Sequence, residues 1–253
     1  MKDMLITSGV AWIVLAIVLG MTFGSFGNVL VARLPKGQSI LGRSRCPKCH
    51  HILAARDLVP VFSYLFLRRR CRYCGHPIAL IYILTEVVAA ALFVFAFTVS
   101  SAPLPAIILS FILWLLLLVS LTDYSTQTIP DALSIPLIVL AAAYTTSTRG
   151  IDITGMLLPP LFFAVQWILS RGKWVGSGDI LIAAASGFLI ADLKKSLLML
   201  GLSYIIGAVF CIVMLVRGRA NRKSAIAFGP FLAIATVIVM FFGDSIMRVL
   251  LRY

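Results

Sequence analysis

The segment "PLPAIILSFILWLLLLVSLTDYS", Pro103 to Ser125, decides the fold. From Leu104 to Thr122 it carries no charge, and its length is close to the roughly 20 residues that take an α-helix across a bilayer. It then ends on a carboxylate, Asp123. Outward from this segment, apolar runs recur near residues 4 to 32, 80 to 100, 132 to 147, 154 to 170, 179 to 193, 196 to 216 and 227 to 247, making about eight candidate spans. With 61% hydrophobic residues, 12% charged residues and a mean hydropathy of +1.05, the chain is too apolar for a water-soluble core. The expected architecture is an all-α polytopic membrane protein in contact with a lipid bilayer. The first run is long for a signal peptide, has no basic n-region beyond Lys2 and shows no cleavage site, so it reads as a retained span.

The chain has 22 Lys and Arg against 9 Asp and Glu, a formal net charge of +13. Location matters more than the sum. Arg33, Lys36, Arg43, Arg45, Lys48, Arg56, Arg68, Arg69, Arg70 and Arg72 all fall in the long loop between the first two spans. The excess of Lys and Arg in cytoplasmic loops puts this loop inside. Alternating spans then put inside the segments 123 to 131, 171 to 178 with Arg171 and Lys173, and 217 to 226 with Arg217, Arg219, Arg222 and Lys223. The charge thus marks topology and contact with anionic lipid, and no nucleic-acid partner is expected. No internal repeat stands out.

That loop contains "CPKCHHILAARDLVPVFSYLFLRRRCRYCGH", residues 46 to 76, with the two Cys-x-x-Cys pairs Cys46/Cys49 and Cys71/Cys74. Each pair can turn two thiolates to one side, and two pairs complete a tetrahedral sulfur shell for Zn2+. A reducing cytoplasm argues against disulfides. Four protein ligands leave no open position for water, so the metal is expected to be structural and to fold a small domain. His50, His51 and His76 adjoin the cysteines and read as neighbours of the metal shell, although one could replace a sulfur. Cys211, within the seventh run, reads as a packing residue.

Asp123 closes the third span and Asp179, in "WVGSGDILIAAASG" from Trp174 to Gly187, opens the sixth, so both fall at one membrane depth. Two carboxylates held close in a low dielectric share a proton and titrate as a pair. One can deprotonate a water while the other, protonated, polarises a peptide carbonyl. Gly176 and Gly178 would allow unusual backbone angles and close approach of a substrate strand. Asp179 alone could equally be the N-cap of its helix, and Asp131, after Pro130, reads as an N-cap of the fourth span. Glu86 lies a turn or two inside the second span, where it needs a partner, either a loop arginine or a ligand. Asp57, Asp192 and Asp244 read as loop or interface residues. Ser25 and Asn28 share one face of the first helix, and Phe228-Gly229-Pro230 opens the last span.

Taken in order, "GSFGNVLVARLP" at 24 to 35, the cysteine segment at 44 to 78, "DYSTQTIPDALSIPL" at 123 to 137, "GSGDILIAAASGFL" at 176 to 189 and "AFGPFLA" at 227 to 233 resemble the bacterial type IV prepilin peptidases, GxGD-type aspartyl proteases of the inner membrane. The resemblance implies that Asp123 and Asp179 are the catalytic pair. It implies cleavage of the basic leader of type IV prepilins and pilin-like precursors, at the cytoplasmic face after a glycine. It also implies S-adenosylmethionine-dependent N-methylation of the new N-terminus, for which no glycine fingerprint or cofactor contact is readable here. Residues 1–100 would carry methyl transfer, with the zinc module at 33–79, and 101–253 would be a six-span peptidase domain. The chain departs from the family at Leu181, where a lysine is frequent two places after the aspartate. Two other classes compete: a proton-coupled transporter relaying through Asp123 and Asp179, and a zinc-bearing membrane adaptor without catalysis.

Overall fold

A computed structural model describes residues 2–148, 150, 152–219, 221 and 224–251; Arg222 and Lys223 of the last basic loop lie outside them. Among the described residues the chain is helical and holds no strand, only the isolated bridges Arg45 to Ile52 and Arg70 to Pro77. The helices are α1 (Lys2–Arg33), the short α2 (Phe62–Phe66), α3 (Leu80–Val99), α4 (Pro103–Thr126), α5 (Asp131–Thr148), α6 (Ile153–Ser170), α7 (Ser177–Ile190), α8 (Leu193–Val216) and α9 (Gly229–Leu251). Seven of them are long and apolar enough to cross a membrane. α7, with 14 residues, falls short of that length. Two compact units divide the chain at Trp114 and Leu115, inside α4, beyond the boundary at 100 and 101 read from the sequence.

In the N-terminal unit α1 packs along α3. A Cβ on Gly20 would stand 2.5 Å from Ala90 Cα, and one on Gly24 would stand 2.6 Å from Glu86 Cα. Small residues four apart let two backbones touch where hydrophobic segregation cannot drive association. Phe23 makes ring contacts with Phe93, Phe111 and Trp114 at centroid distances of 5.9, 4.8 and 5.4 Å. The Trp114 indole N–H also donates to the Phe23 carbonyl at 3.0 Å. That aromatic cluster is why the first half of α4 belongs to this unit.

In the C-terminal unit α7 packs against α5, α6 and α9. Its Gly187 lies so close to Met156 that no Cβ fits, and Gly155 meets the Asp192 backbone in the same way. Small hydroxyls supply the polar contacts between helices: Thr236 donates to Ser186 Oγ at 2.8 Å, Ser196 to the Gly155 carbonyl at 2.8 Å and Thr145 to the Phe188 carbonyl at 2.6 Å. Asp152 caps α6 through the Thr154 N–H and Asp192 caps α8 through the Lys195 N–H, so Asp192 is a helix cap rather than a loop residue. Asp244 pairs with Lys195 at 2.6 Å. Asp131 is the first residue of α5, and the Pro130 carbonyl accepts that helix's first backbone bonds, so the N-cap expected at Asp131 sits one residue earlier. Ile205, Val209, Ile212 and Leu161 are among the apolar side chains left exposed, as lipid-facing positions require.

Gly187→Ala is expected to lower stability by about 2 kcal/mol through overpacking, read as a lower thermal midpoint in detergent. Gly201→Ala, where a Cβ meets open space, should leave the midpoint unchanged.

Candidate active site and metal centre

Asp123 lies in the last turn of α4 and Asp179 in the first turn of α7, both in the C-terminal unit and 5% and 8% exposed. Each is gripped by a backbone amide at a helix start. The Gly229 N–H, at the head of α9, donates to Asp123 Oδ2 at 2.8 Å. The Gly176 N–H donates to Asp179 Oδ2 at 3.1 Å. Helix N-termini carry partial positive charge and unsatisfied donors, so both favour the carboxylate. Asp179 therefore does cap α7, but from the third helical position, with Gly176 as the cap residue. Its other oxygen, Oδ1, is buried and has no partner among the described residues.

Three glycines shape this place. Gly229 leaves so little room that a Cβ would stand 2.8 Å from Asp123 Oδ2 and 3.2 Å from Ile182 Cδ1 on α7. Gly178 receives Ile129, whose Cβ a side chain would meet at 2.8 Å, locking the segment after α4 onto the start of α7. Gly176 has an ordinary extended backbone, φ −76° and ψ 154°, so its role is the amide it presents rather than an unusual angle. The sequence reading takes Phe228-Gly229-Pro230 as architecture near the site, without a direct contact to either aspartate. The signal at Gly229 was the Gly-Pro pair at a helix start, which frees an amide there. Leu181, half-buried on α7, adds no charge to the site.

In the loop, Cys46, Cys49, Cys71 and Cys74 bring their sulfurs within 4.8 Å of one another, and none forms a disulfide. Cys46 and Cys74 sulfurs are 3.8 Å apart, the separation of about 3.8 Å that a tetrahedral shell of 2.3 Å Zn–S bonds produces. The donor set fits zinc. The two knuckles are copies at backbone level. His50 N–H bonds to the Cys46 carbonyl as Gly75 N–H does to Cys71, and Cys46 N–H bonds to the His51 carbonyl as Cys71 N–H does to His76. His50 and Gly75 both take the left-handed conformation, at φ 56° and 69°. This is a short structural repeat that the sequence reading passed over. Burial raises the Cys46 thiol, but the N–H groups of Cys49 and Lys48 and the thiols of Cys49 and Cys71 outweigh it and bring it down to about 7. The three histidines are exposed; the His51 ring meets the Tyr73 ring at a tilt of 31°, centroids 3.6 Å apart.

Asp57, expected as a loop residue, is instead the loop's tie. It accepts from Arg72 Nε at 2.7 Å, from the Tyr73 hydroxyl at 3.2 Å and from the Ala54 N–H at 3.2 Å. Burial alone would raise its carboxyl; these donors hold it below the usual range. Glu86 has no loop arginine as partner among the described residues; the Val61 N–H donates to its Oε2 at 2.7 Å. Three arginines of this region are engaged elsewhere: Arg33 donates to the carbonyls of Ser39, Ile40, Leu41 and Arg43, Arg69 to the Tyr64 hydroxyl, and Arg72 to Asp57.

Residues 18–100 match the bacterial peptidase A24 N-terminal domain, and residues 109–212 match the type IV leader peptidase family. A prepilin leader peptidase/N-methyltransferase of Bacillus subtilis (strain 168) is 32% identical over 237 residues, covering 90% of this chain and 94% of the relative. Proteins of that name from Burkholderia pseudomallei (strain 1026b) and Pseudomonas aeruginosa are 31% and 30% identical, over 90% and 99% of this chain and 84% and 97% of their own lengths. No solved structure matches. With two family domains in order along a multi-pass membrane chain, and relatives at this identity aligned nearly end to end, the chain belongs to the type IV leader peptidase family.

Proposed function

We propose that this enzyme cleaves the basic leader from type IV prepilins and pilin-like precursors after a glycine, at the cytoplasmic face of the inner membrane, with Asp123 and Asp179 as its catalytic pair, and that it then N-methylates the new N-terminus. The observation that carries the peptidase reading is the pair of buried carboxylates, each fixed by one backbone N–H, with Asp179 Oδ1 left without a partner among the described residues. A water between the carboxylates would satisfy that oxygen. One carboxylate takes a proton from the water as its oxygen attacks the peptide carbonyl, and the protonated partner donates to the carbonyl oxygen. Collapse of the tetrahedral carbon breaks the C–N bond, and the amine leaves with a proton returned by the pair. Cys46, Cys49, Cys71 and Cys74 would hold zinc, which would fasten the loop; four protein ligands would leave no open position for this reaction. S-adenosylmethionine supplies the methyl group for the second activity.

Asp123→Asn and Asp179→Asn should each cut leader cleavage by about a thousandfold or more while the protein stays folded. Cleavage of a co-expressed prepilin, followed by gel shift, reads this, and processing at the wild-type rate in either variant sinks the assignment.

Gly229→Ala would displace Asp123 without removing it, and a misplaced catalytic group costs about a hundredfold; kcat is expected to fall with little change in thermal midpoint.

Purified protein should contain one zinc per cysteine quartet by elemental analysis, lost in Cys46→Ser. Asp57→Asn leaves the part-exposed Arg72 without its anion and should destabilise the loop by about 1 kcal/mol, measured as faster zinc release to a chelator.

A further inference from the structure

The N-terminal unit contains a cavity of about 510 Å³ that the peptidase chemistry does not use. One wall is the face of α1 that carries Ser25, Asn28, Val29 and Ala32; the facing wall is α3 with Tyr82 and Glu86. The buried cysteines of the metal module, Cys46 and Cys71, close a third side. Its volume lies within the range of about 300–1,000 Å³ typical of pockets for small molecules and cofactors.

Most charge around the cavity is already spent. Arg33 is committed to four loop carbonyls and Arg72 is paired with Asp57. Among the charged lining residues this leaves Glu86 and Arg45 without an ionic partner. Glu86 is held firmly. Its Oε2 accepts the Val61 N–H, and the Ser25 hydroxyl lies beside it. The chain reaches Val61 through a strained turn, with φ 64° and ψ −52° at a β-branched residue and the Phe62 N–H bonded back to the Pro60 carbonyl at 2.6 Å. Positive φ at valine is costly and persists only where surrounding contacts over-determine it. Here the contact that uses the strain is the one that fixes Glu86. On the other side, the Asn28 amide donates to the Tyr82 carbonyl at 3.0 Å, and Gly24 lets α3 approach α1 at Glu86 itself. The result is a carboxylate in a pocket with aromatic walls from Phe26, Tyr64 and Tyr82, and a lone cation in Arg45.

We propose that this cavity is the methyl-donor site and that Glu86 takes the proton from the substrate's new N-terminal amine. The proposal rests on the methyl-transfer half of the function given above. S-adenosylmethionine matches the lining: a flat adenine for the aromatic walls and a carboxylate for Arg45. An N-terminal amine arrives as an ammonium and cannot act as a nucleophile until it loses a proton. Glu86 Oε1 accepts it; the nitrogen lone pair then bonds to the methyl carbon as the carbon–sulfur bond breaks, and that bond's electrons leave on sulfur as the neutral thioether. The product is a secondary ammonium, whose positive charge develops facing the cavity's one free carboxylate, and the proton on Glu86 passes to solvent.

The test uses the full chain in detergent. Ultraviolet crosslinking of radiolabelled S-adenosylmethionine to wild-type protein should label peptides from residues 25–33 or 44–86, in competition with S-adenosylhomocysteine. Val29→Trp, which fills the cavity, should weaken equilibrium binding of the labelled donor by about tenfold or more. Glu86→Gln keeps an acceptor for the Val61 N–H; it should bind the donor as wild type does yet methylate a cleaved pilin about a hundredfold more slowly. Both variants should cleave leaders normally. Label confined to Leu115–Tyr253, or undiminished binding by Val29→Trp, overturns the donor site. Wild-type methylation by Glu86→Gln, or its loss of cleavage along with methylation, overturns the role of Glu86. A wild-type protein that cleaves but neither binds the donor nor adds a methyl group defeats methyl transfer itself, a result distinct from label in the wrong place. The crosslink needs no variant to fold.

Discussion

A carboxylate within a membrane helix must be held by something, and in this protein the holder is the backbone. Glu86, Asp123 and Asp179 each accept one main-chain N–H, from Val61, Gly229 and Gly176. None of the three has a lysine or arginine partner among the described residues. In the loop and at the more exposed positions of α8 and α9 the solution differs: Asp57 takes Arg72, and the 80% exposed Asp244 of α9 takes Lys195 from the first turn of α8. The distinction follows from desolvation, since a second charge taken into hydrocarbon costs as much as the first. An amide at a helix start is already there, already oriented, and neutral.

This constraint explains features that otherwise look unrelated. Glycine stands at 229 because the amide must come within hydrogen-bond reach of Asp123 with α7 alongside. Val61 accepts an unfavourable conformation because its amide must reach Glu86 from outside the helix. Asp179 sits three residues after Gly176 because that spacing returns its side chain to the amide of the cap. In each case the residue next to the carboxylate is selected for what its backbone does.

The spans were legible because hydropathy is a summed signal over a whole helix, and it survives errors at the ends. The cysteine quartet was legible because two Cys-x-x-Cys pairs encode their geometry locally. Asp123 and Asp179 could be paired by depth, since each lies at a marked end of an apolar run. What holds them was not legible, because Gly229 is brought to Asp123 across more than a hundred residues by packing of α7 and α9. The same limit hid the Val61 contact with Glu86 and the tie between Asp57 and Arg72. The unit boundary within α4 depended on where Phe23, Phe111 and Trp114 meet, which no local pattern encodes. Gly20 and Gly24, by contrast, form a small-residue stripe that is local in the sequence.

Peptide hydrolysis in a membrane needs water at the scissile bond, and the length of α7 bears on how it gets there. At 14 residues and 1.5 Å per residue the helix spans about 21 Å, against a hydrocarbon core of about 30 Å. A segment that falls short by about 9 Å cannot keep both ends at the surface; the bilayer must thin around it or the aqueous boundary must dip to meet its termini. Asp179 stands in the first turn of that helix, behind the connection from Arg171 to Ser177, most of it exposed. The truncation of one helix therefore acts as a hydration device, bringing the edge of the solvent to a carboxylate that side-chain packing alone would have sealed in oil.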